Sequence, residues 1–334
     1  MRIQLLIILN NRMKVLFVSS GNAKNFSISP FIQSQGESLV EIGVIIDYFI
    51  IKRKGLMGYV KESIRLRKFL KNNTFDIIHA HYALCGWVVA LVFPKQPIVL
   101  SLMGDDANGT YYAPGKLNFK SRFLMAATFF LQFFVDKIIC KTKYMQRNIL
   151  QNNKSIVLAN GVNVNMDYVA VEKNANPLSL DKNKKYVLFL GNKNDINKNY
   201  ALVEKAMELI NSKNIELLAP YPIKHNEVIT YLNAVDVLVL SSLMEGSPNV
   251  VKEAMASNCT VVATNVGDVA WLFGNEPGYF ITDFNPKDCA DKIRKALAFV
   301  EMNGKPNGRQ RIIDLKLETK DVAYKLYEIY KTLI

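Results

Sequence analysis

Short apolar runs alternate with longer amphipathic segments along most of the chain. This pattern predicts parallel β-sheets that are covered by helices on both faces. The runs are rich in Val, Ile and Leu, which is typical of strands buried on both sides. In the first half we predict strands at 14–19, 43–48, 77–80, 98–101, 137–140 and 155–158. In the second half we predict strands at 186–190, 215–218, 235–240 and 260–263.

Amphipathic segments with helical spacing of their apolar residues lie between the predicted strands. They place helices at 59–72, 123–135, 200–211, 249–257 and 286–302. Residues 163–184 are polar and contain Asn and Pro, so we interpret them as a linker. A further amphipathic segment at 317–333 follows the second set of strands.

The elements form two α/β halves on either side of the linker. We predict one doubly wound Rossmann-like domain at 1–165, a second at 166–316, and a C-terminal helix within 317–334 that packs back towards the first. The two domains are expected to face each other across a cleft, with ligands at the carboxyl ends of the strands. No G-x-G-x-x-G follows a strand and no G-x-x-x-x-G-K-[ST] occurs, which argues against a nicotinamide-dependent dehydrogenase and a P-loop ATPase.

Two apolar stretches are candidates for contact with a membrane. Residues 3–9 are apolar, but this run ends at Asn10 and is too short to cross a bilayer. Residues 123–140 show helical spacing and include Gln132 and Asp136, which favours a buried or interfacial helix over a transmembrane one.

The composition indicates the redox environment of the protein and shows that charge is distributed unevenly along the chain. Half of the residues are hydrophobic and 21% are charged, as in soluble globular proteins. The four cysteines form no C-x-x-C pair, so we expect free thiols in a reducing, cytoplasmic setting and no zinc site. The net charge of +13 comes entirely from residues 1–165, which contain 21 Lys and Arg and 8 Asp and Glu. The remaining residues contain 21 Lys and Arg and 21 Asp and Glu, so their charges cancel. A basic half suits an anionic substrate, a nucleic acid or an anionic membrane surface.

The candidate functional residues are most concentrated directly after the predicted strand at 235–240. Ser247 is a suitable N-cap and Pro248 a suitable first residue for the next helix. The amino end of that helix would direct N–H groups and its positive dipole end at the strand end, which favours an anion. Glu245 and Glu253 flank this point, and carboxylates there can accept hydroxyl groups of a sugar beside a diphosphate. The pattern alone fits equally well a turn acceptor at Glu245 and a solvated helix residue at Glu253.

Four motifs, in order along the chain, resemble those of glycosyltransferase family 4. EGSPNVVKEAMA at 245–256, with VVATNVG at 261–267, resembles the E-x7-E signature of its retaining members. Similar segments are DIIHAH at 76–81, NGVN at 160–163, and LFLG at 188–191 followed by Lys198 and Asn199. The resemblance implies the GT-B fold, in which two Rossmann-like domains face a cleft and the second holds most of the nucleotide sugar.

By matched position, the resemblance implies that Glu253 holds the ribose hydroxyls of the donor and that Glu245 holds hydroxyls of the donor sugar. Lys198 would neutralise the departing diphosphate, so Glu245 and Lys198 are candidate catalytic residues. Further donor-binding groups are expected at Gly246, Ser247, Asn249, Val250, Gly191 and Lys193. Pro248 has no N–H, so one amide contact common in the family is absent here.

The phosphate-binding loop departs from the family pattern at one position. Asn192 stands where the family has an arginine, so neutralisation of the phosphates would depend on Lys198 and on Lys193, each a point charge without a bidentate fork. The resemblance implies no cofactor and no bound metal, with the nucleotide sugar as substrate. It also implies displacement with retention of the anomeric configuration, in which a donor phosphate oxygen accepts the proton of the acceptor hydroxyl.

A second departure lies in the turn that matches the family's H-G-x-D. Gly104 and Asp106 match, and Asp106 is expected to be catalytic, but Met103 replaces the histidine. The enzyme is therefore expected either to work without this histidine or to have reduced or no activity.

The first half also contributes candidates on the acceptor side. Gly21 is expected to allow close backbone approach of the donor diphosphate, and Asn22 to border the acceptor. His79 and His81 end a predicted strand and are further acceptor-side candidates. His225 precedes the strand at 235–240 in a predicted turn and is interpreted as structural.

The function predicted from these observations is a retaining glycosyltransferase that moves a sugar from a nucleotide-diphosphate donor to a glycan or lipid-linked acceptor in cell-surface polysaccharide biosynthesis. A GT-B epimerase acting on the nucleotide sugar is an alternative. A basic protein that binds a membrane or nucleic acid without catalysis is another, although no nucleic-acid-binding motif occurs and no nucleic-acid partner is expected.

Basic residues in the first half also predict peripheral attachment to an anionic surface on the inner face of the membrane. The residues that would form such a patch are Lys52, Arg53, Lys54, Lys61, Arg65, Arg67, Lys68, Lys71, Lys116, Lys120 and Arg122.

Overall fold

The computed structural model describes residues 12–21, 28–164 and 178–334. The chain divides into two compact units. The first comprises the residues up to Gly109, Phe119–Gly161 and Thr319–Ile334. The second comprises Thr110–Asn118 and Val162–Glu318. Most of the predicted linker lies outside the described residues.

The first unit is built on a six-stranded parallel sheet in the order β2-β1-β3-β4-β7-β8. The chain forms, in sequence, β1 (Lys14–Ser20), β2 (Ile45–Ile51), β3 (Ile77–His81), β4 (Ile98–Ser101), an antiparallel hairpin of β5 (Tyr111–Ala113) and β6 (Lys116–Leu117), β7 (Lys137–Cys140) and β8 (Ser155–Val157). The interior residues of β1 are all buried, as expected for a strand covered on both faces. The hairpin belongs to the second unit.

Helices cover both faces of this sheet. In chain order they are α1 (Pro30–Glu41), α2 (Leu56–Asn72), α3 (Ala83–Ala90), α4 (Asp105–Asn108), α5 (Ser121–Leu131) and α6 (Lys143–Arg147). Helices α2, α3 and α5 contribute Leu66, Val88 and Leu131 to one hydrophobic core. Helix α1 contributes Leu39 to a separate core on the other face.

The second unit is built on a five-stranded parallel sheet in the order β10-β9-β11-β12-β13. Its strands are β9 (Lys185–Leu188), β10 (Ile215–Leu218), β11 (Val237–Leu240), β12 (Thr260–Thr264) and β13 (Tyr279–Thr282). Its helices are α7 (Tyr200–Ile210), α8 (His225–Ala234), α9 (Asn249–Ala256), α10 (Val269–Phe273), α11 (Pro286–Asn303) and α12 (Gly308–Asp314). Local sequence explains the start of α11, because Pro286 is its first residue and the Asn285 side chain accepts a hydrogen bond from the Lys287 N–H.

The last helix, α13 (Thr319–Lys331), returns to the first unit and packs against α1. Its apolar stripe, which includes Leu326 and the fully buried Tyr330, joins the same core as Leu39. The predicted pair of Rossmann-like parallel-sheet units is therefore confirmed.

Several predicted boundaries and elements were wrong for local reasons. The strand predicted at 43–48 begins at Ile45, because Gly43 has a positive φ of 95° and closes the turn after α1. The helix predicted at 123–135 runs over Ser121–Leu131 and continues as a 3-10 turn at Gln132–Phe134. The short hairpin and β13 were not predicted. No helix among the described residues is long and apolar enough to cross a membrane.

Candidate active site

The loop 241–248 joins the buried strand β11 to α9. Pro248, predicted as the first helical residue, is instead the N-cap, with φ −68° and ψ 112°. Its carbonyl accepts the N–H groups of Val251 at 3.2 Å and Lys252 at 3.4 Å. The predicted cap, Ser247, lies one residue earlier, because the extended backbone of Pro248 delays the helix to Asn249. The helix still begins at the carboxyl end of a parallel strand, where an anion is favoured.

An ion pair joins this loop to the loop after β9. The Lys198 ammonium donates to Oε1 of Glu245 at 2.7 Å, and the Ser242 hydroxyl donates to the same oxygen at 2.8 Å. The side chains of Lys198 and Glu245 are 31% and 18% exposed, so a ligand can reach both. The two residues that the sequence assigned to sugar and diphosphate therefore lie together at one edge of the sheet.

Backbone groups hold the two loops in register. The Ser241 hydroxyl donates to the Lys198 carbonyl at 2.7 Å, and the Leu243 N–H donates to the Asn197 carbonyl at 2.7 Å. The Asn197 side chain donates to the Met244 carbonyl at 2.9 Å. Because these bonds fix the backbone on both sides of the ion pair, the pair is preorganised.

The charge of Lys198 is stabilised by its neighbours. Burial alone would lower the pKa of Lys198, but the carboxylate of Glu245, through its charge and hydrogen bond, and the charge of Asp195 raise the pKa above its usual value. The ammonium therefore keeps its proton at neutral pH, as a group that neutralises phosphate must.

The other predicted residues of the phosphate loop lie nearby in the chain. Gly191 follows β9, and a Cβ there would approach Cγ of Lys198 to 3.3 Å. Lys193 is exposed and its ammonium lies 4.9 Å from the ring centroid of Tyr200. The backbone at Gly191 thus leaves room for the Lys198 side chain, and the phosphate-binding role of Lys193 stays a prediction.

A glycine in the loop after β12 permits a close backbone contact. Gly267 has a φ of +60°, and a Cβ at this position would lie 2.4 Å from the carbonyl oxygen of Gly246. The Thr264 hydroxyl donates to the Ser242 carbonyl at 2.8 Å, which attaches the end of β12 to the same loop. The segment VVATNVG, singled out in the sequence, thus supports the backbone beside Glu245.

We expect Gly267→Ala to lower the free energy of unfolding by about 1–3 kcal/mol, because it adds backbone strain and a clash with Gly246. Donor affinity should fall as well, since the clash displaces the backbone next to Glu245. Denaturant unfolding and calorimetry would measure the two effects. Gly304→Ala is the matched control, because Gly304 also has a positive φ, 74°, but no described atom lies within 4 Å of the added Cβ. Equal stability and unchanged donor affinity in the two variants would contradict the prediction.

A buried lysine contacts the loop from within α9. Lys252 is fully buried, and its ammonium donates to the Ser247 hydroxyl at 3.1 Å. Burial lowers the pKa of Lys252 to about 8, although the Asp268 and Glu253 carboxylates oppose this shift. Burial raises the pKa of Asp268, while Lys252 and Ser247 oppose that shift. Lys252 was not predicted as a site residue. The signal in the sequence was a lysine on a helix face whose other buried residues are apolar.

Glu253 lies in the second turn of α9, and its side chain is 21% exposed. Burial raises its pKa, and the charges of His225 and Lys252 oppose the rise. His225 Nε2 lies 3.9 Å from Oε1 of Glu253. His225 was expected in a turn, but it is the first residue of α8. The structure thus adds a histidine to the surroundings of the residue assigned to the ribose.

Replacing His225 with glutamine should raise the acid limit of donor binding, which is the pH below which the donor no longer binds. Glu253 must be ionised to accept two hydroxyl groups, and the loss of His225 removes a charge that lowers the pKa of Glu253. Calorimetric titration of the donor at a series of pH values would measure the shift. Lys224→Gln is the control, since it removes a neighbouring exposed cation. An unchanged acid limit in His225→Gln would contradict the prediction.

The remaining donor-side residues lie at the start of α9 or just before it. Asn249 and Val250 are the first two helical residues, and both are half-buried. Oδ1 of Asn249 is buried and has no hydrogen-bond partner within the described ranges. The expected contacts of these residues, and of Gly246 and Ser247, with a donor stay predictions.

Asp106, expected to be catalytic, has a structural position in the first unit. Its side chain is fully buried and accepts the N–H groups of Met103 at 2.9 Å, Gly104 at 3.0 Å and Ala83 at 3.1 Å. Burial, with the nearby charge of Asp105, raises the pKa of Asp106 to about 6, although the three N–H groups oppose this. The buried carboxylate holds the turn together, and the catalytic role expected of Asp106 stays a prediction.

The acceptor-side histidines are also in the interior. His79 is fully buried, with Nδ1 2.5 Å from the Tyr330 hydroxyl and Nε2 2.8 Å from the Ser101 hydroxyl. His81 is 2% exposed and stacks on His79 with ring centroids 4.2 Å apart. Burial, with nearby positive charge, holds the pKa of both far below the usual value, so they are neutral. Both rings lie in the core, and the acceptor-side role expected of them stays a prediction.

The first loop is only partly described. Gly21 follows β1, and its N–H donates to the Ile51 carbonyl at 2.9 Å. Asn22, the other candidate of this loop, lies outside the described residues. In the part of the chain that the structure describes, His, Cys, Asp and Glu form no group of three that could hold a metal ion. Independence of metal stays a prediction.

Solved structures of other proteins share this fold. Sucrose-phosphate synthase from Thermosynechococcus elongatus matches with a TM-score of 0.79 and 17% identity, over 96% of this chain and 99% of that one. Anabaena HepE in complex with UDP and glucose matches with a TM-score of 0.71 and 15% identity, over 96% and 100% of the two chains. These likenesses show the fold, which is GT-B.

Sequence comparison gives the family. A model described as Glycosyltransferase Family 4 matches residues 13–166, and one described as Glycosyl transferases group 1 matches residues 173–298. An uncharacterised glycosyltransferase of Methanocaldococcus jannaschii is 29% identical over 255 residues, 71% of this chain and 70% of its own. TuaC of Bacillus subtilis, a glycosyltransferase named for teichuronic acid biosynthesis, is 26% identical over 242 residues, 66% of this chain and 61% of its own. The chain belongs to glycosyltransferase family 4.

Proposed function

We propose that this glycosyltransferase moves a sugar, with retention of anomeric configuration, from a nucleoside diphosphate donor to a glycan or lipid-linked acceptor in cell-surface polysaccharide biosynthesis. The observation that carries the proposal is the preorganised Lys198–Glu245 pair at the edge of the second sheet. The pair supports the proposal because an ammonium suited to a diphosphate and a carboxylate suited to hydroxyl groups are hydrogen-bonded to each other.

Each side chain at this edge has a distinct task in the proposal. Glu253 accepts the ribose hydroxyls. Glu245 accepts hydroxyls of the donor sugar through Oε2, since Lys198 donates to Oε1. The backbone amides of Gly246, Ser247, Asn249 and Val250 bind donor oxygens at the amino end of α9.

Charge develops on the diphosphate while the bond to the sugar breaks. The ammonium of Lys198 stabilises that charge, and because its loop is already fixed by hydrogen bonds, little reorganisation accompanies the reaction. The acceptor hydroxyl attacks the anomeric carbon on the face from which the diphosphate leaves. A phosphate oxygen of the donor takes the proton of that hydroxyl, so no protein nucleophile and no metal ion is required.

Two relatives support the substrate classes. HepE has been solved with UDP and glucose, which supports a nucleoside diphosphate sugar as the donor. TuaC is named for teichuronic acid biosynthesis, which supports an acceptor in a surface polysaccharide.

The experiment begins with thermal stabilisation of the protein by a panel of nucleoside diphosphate sugars in the presence of a chelator. The stabilising donor is then incubated with and without candidate acceptors, and the product is examined by NMR. We expect a glycoside with the donor's anomeric configuration, formed only with acceptor and without added metal. An epimerised nucleotide sugar formed without acceptor would indicate the epimerase, and an inverted glycoside would overturn retention.

A further inference from the structure

One face of the first sheet is covered by three neighbouring helices, because α3 packs against both α2 and α5. We call α2, α3 and α5, with the segments that directly flank α3 and α5, the outer helical layer. Its inward residues fill the core, whereas its outward surface is unusually apolar. A helix face that points to water is normally polar.

The outward face of α5 is aromatic. Its buried residues include Ser121 and Thr128, whereas phenylalanines project outwards at the helical spacing of i, i+3 and i+4. Phe123 is 69% exposed and Phe130 58% exposed. The exposed phenylalanines of this helix and the turn after it are Phe123, Phe129, Phe130, Phe133 and Phe134.

The rest of the layer extends this apolar surface. Phe93, 74% exposed, lies after α3 and contacts the ring of Phe134 with centroids 6.4 Å apart. On α2, the exposed apolar residues are Leu56, Met57, Val60 and Ile64. Exposed apolar residues concentrated on one layer mark an interaction surface, unlike single ones scattered over a protein.

Positive charge surrounds the apolar side chains. The exposed cations of the layer are Lys61, Arg67, Lys68, Lys71, Lys95, Lys120 and Arg122. The one acidic residue on its helices, Glu62, is buried and paired with Arg65. The chain contains no Asp or Glu between Asp76 and Asp105, nor between Asp106 and Asp136. Lys116, which the sequence placed in the same patch, lies on the hairpin of the second unit.

The opposite face of the same sheet has a different character. Helix α1 carries the acidic residues Glu37 and Glu41 and no lysine, and α13 combines lysines with Asp321 and Glu328. The concentration of exposed aromatic residues and exposed cations is therefore a property of the outer helical layer and not of the whole unit.

We infer that the outer helical layer docks on the surface of an anionic lipid bilayer, with its phenylalanines in the interfacial region and its cations at the headgroups. A helix with Phe and Leu on one face and Lys and Arg beside it lies in the interface plane without crossing the membrane. A second copy of this chain is a poorer occupant, since an isologous contact would bring two cationic surfaces together without acidic partners. The inference goes beyond the transfer reaction and does not depend on it.

Co-sedimentation with vesicles tests the inference on the full chain. We expect binding to vesicles of phosphatidylglycerol and phosphatidylcholine, and little to phosphatidylcholine alone. Raising the salt from about 0.1 M to about 1 M shortens the Debye length from about 10 Å to about 3 Å and should release most of the protein. Equal binding to both kinds of vesicle at both salt concentrations would contradict the role proposed for the cations.

Two sets of variants test the named residues. Phe130→Ser with Phe133→Ser should reduce the partition coefficient by about a hundredfold, since each exposed ring loses its burial in the interface. Lys61→Gln with Arg67→Gln and Lys68→Gln should reduce it by a similar factor, because each cation near an anionic surface contributes about fivefold. The matched controls are Trp271→Ser with Tyr324→Ser, which are about half exposed elsewhere, and Lys205→Gln with Lys287→Gln and Lys295→Gln.

All these side chains are exposed, so the variants should keep the melting temperature of the unmodified protein, and the control sets should keep its vesicle binding. Vesicle binding that survives in both test sets would overturn the proposal. So would absence of vesicle binding together with a dimer, measured by analytical ultracentrifugation, that the phenylalanine variants dissociate. That outcome would assign the layer to a second copy of the chain.

Discussion

Replacement of Lys198 by alanine should lower kcat by about a hundred- to a thousandfold, while KM for the donor changes much less. Removing one preorganised group that stabilises charge in the transition state has an effect of this size. The charge on the diphosphate grows as the sugar bond breaks, so the ammonium of Lys198 contributes most in the transition state. Steady-state kinetics at saturating donor and acceptor would measure both parameters.

Two further variants separate this role from a structural one. Lys198→Arg keeps a positive charge near Glu245 and should recover part of the lost kcat. Lys213→Ala removes an exposed lysine outside the site and should have no effect. A Lys198→Ala enzyme with the kcat of the unmodified protein would show that the ion pair with Glu245 serves only to hold the two loops together.

Glu253→Gln should weaken binding of the donor nucleotide by roughly ten- to a hundredfold, which corresponds to about 1.5–3 kcal/mol for hydrogen bonds to a charged acceptor. Glutamine has nearly the same size, and Glu253 is partly exposed on α9, so the fold should remain intact. Isothermal titration calorimetry with the nucleoside diphosphate would measure the loss.

The matched control for this change is Glu204→Gln on the exposed face of α7, which should bind the nucleotide normally. Far-ultraviolet circular dichroism and the melting temperature would check that each variant is folded. A Glu253→Gln protein with unchanged affinity for the nucleotide would exclude a direct contact between this carboxylate and the ribose.

Local sequence was sufficient for much of the fold. The strands at Ile98–Ser101, Lys137–Cys140 and Ile215–Leu218 were predicted with their observed boundaries. The first two are short apolar runs that are largely buried in the parallel sheet. Helix α11 was found to within one residue, since Pro286 fixes its start. The missed hairpin at 111–117 has strands of only 3 and 2 residues on either side of Pro114 and Gly115, so its pattern resembles a loop.

The loop 241–248 and α9 were also predictable, because Glu245 and Glu253 belong to one continuous segment after a strand. The partner of Glu245 was not predictable from spacing, since Lys198 lies 47 positions away and meets it only because β9 and β11 are neighbours in the sheet. The resemblance to a family identified Lys198, and the structure supplied the contact.

The sequence by itself determined the alternation of strands and helices, the division into two α/β halves, and the loop and helix that carry the two glutamates, because these features depend on residues close together in the chain. Only the tertiary structure decided which side chains face water. Asp106, His79 and Lys252 are buried, whereas Phe123 and Phe130 are exposed. Burial depends on neighbours that are distant in the sequence, and hydrophobic periodicity identifies the apolar face of a helix without showing whether another element covers it.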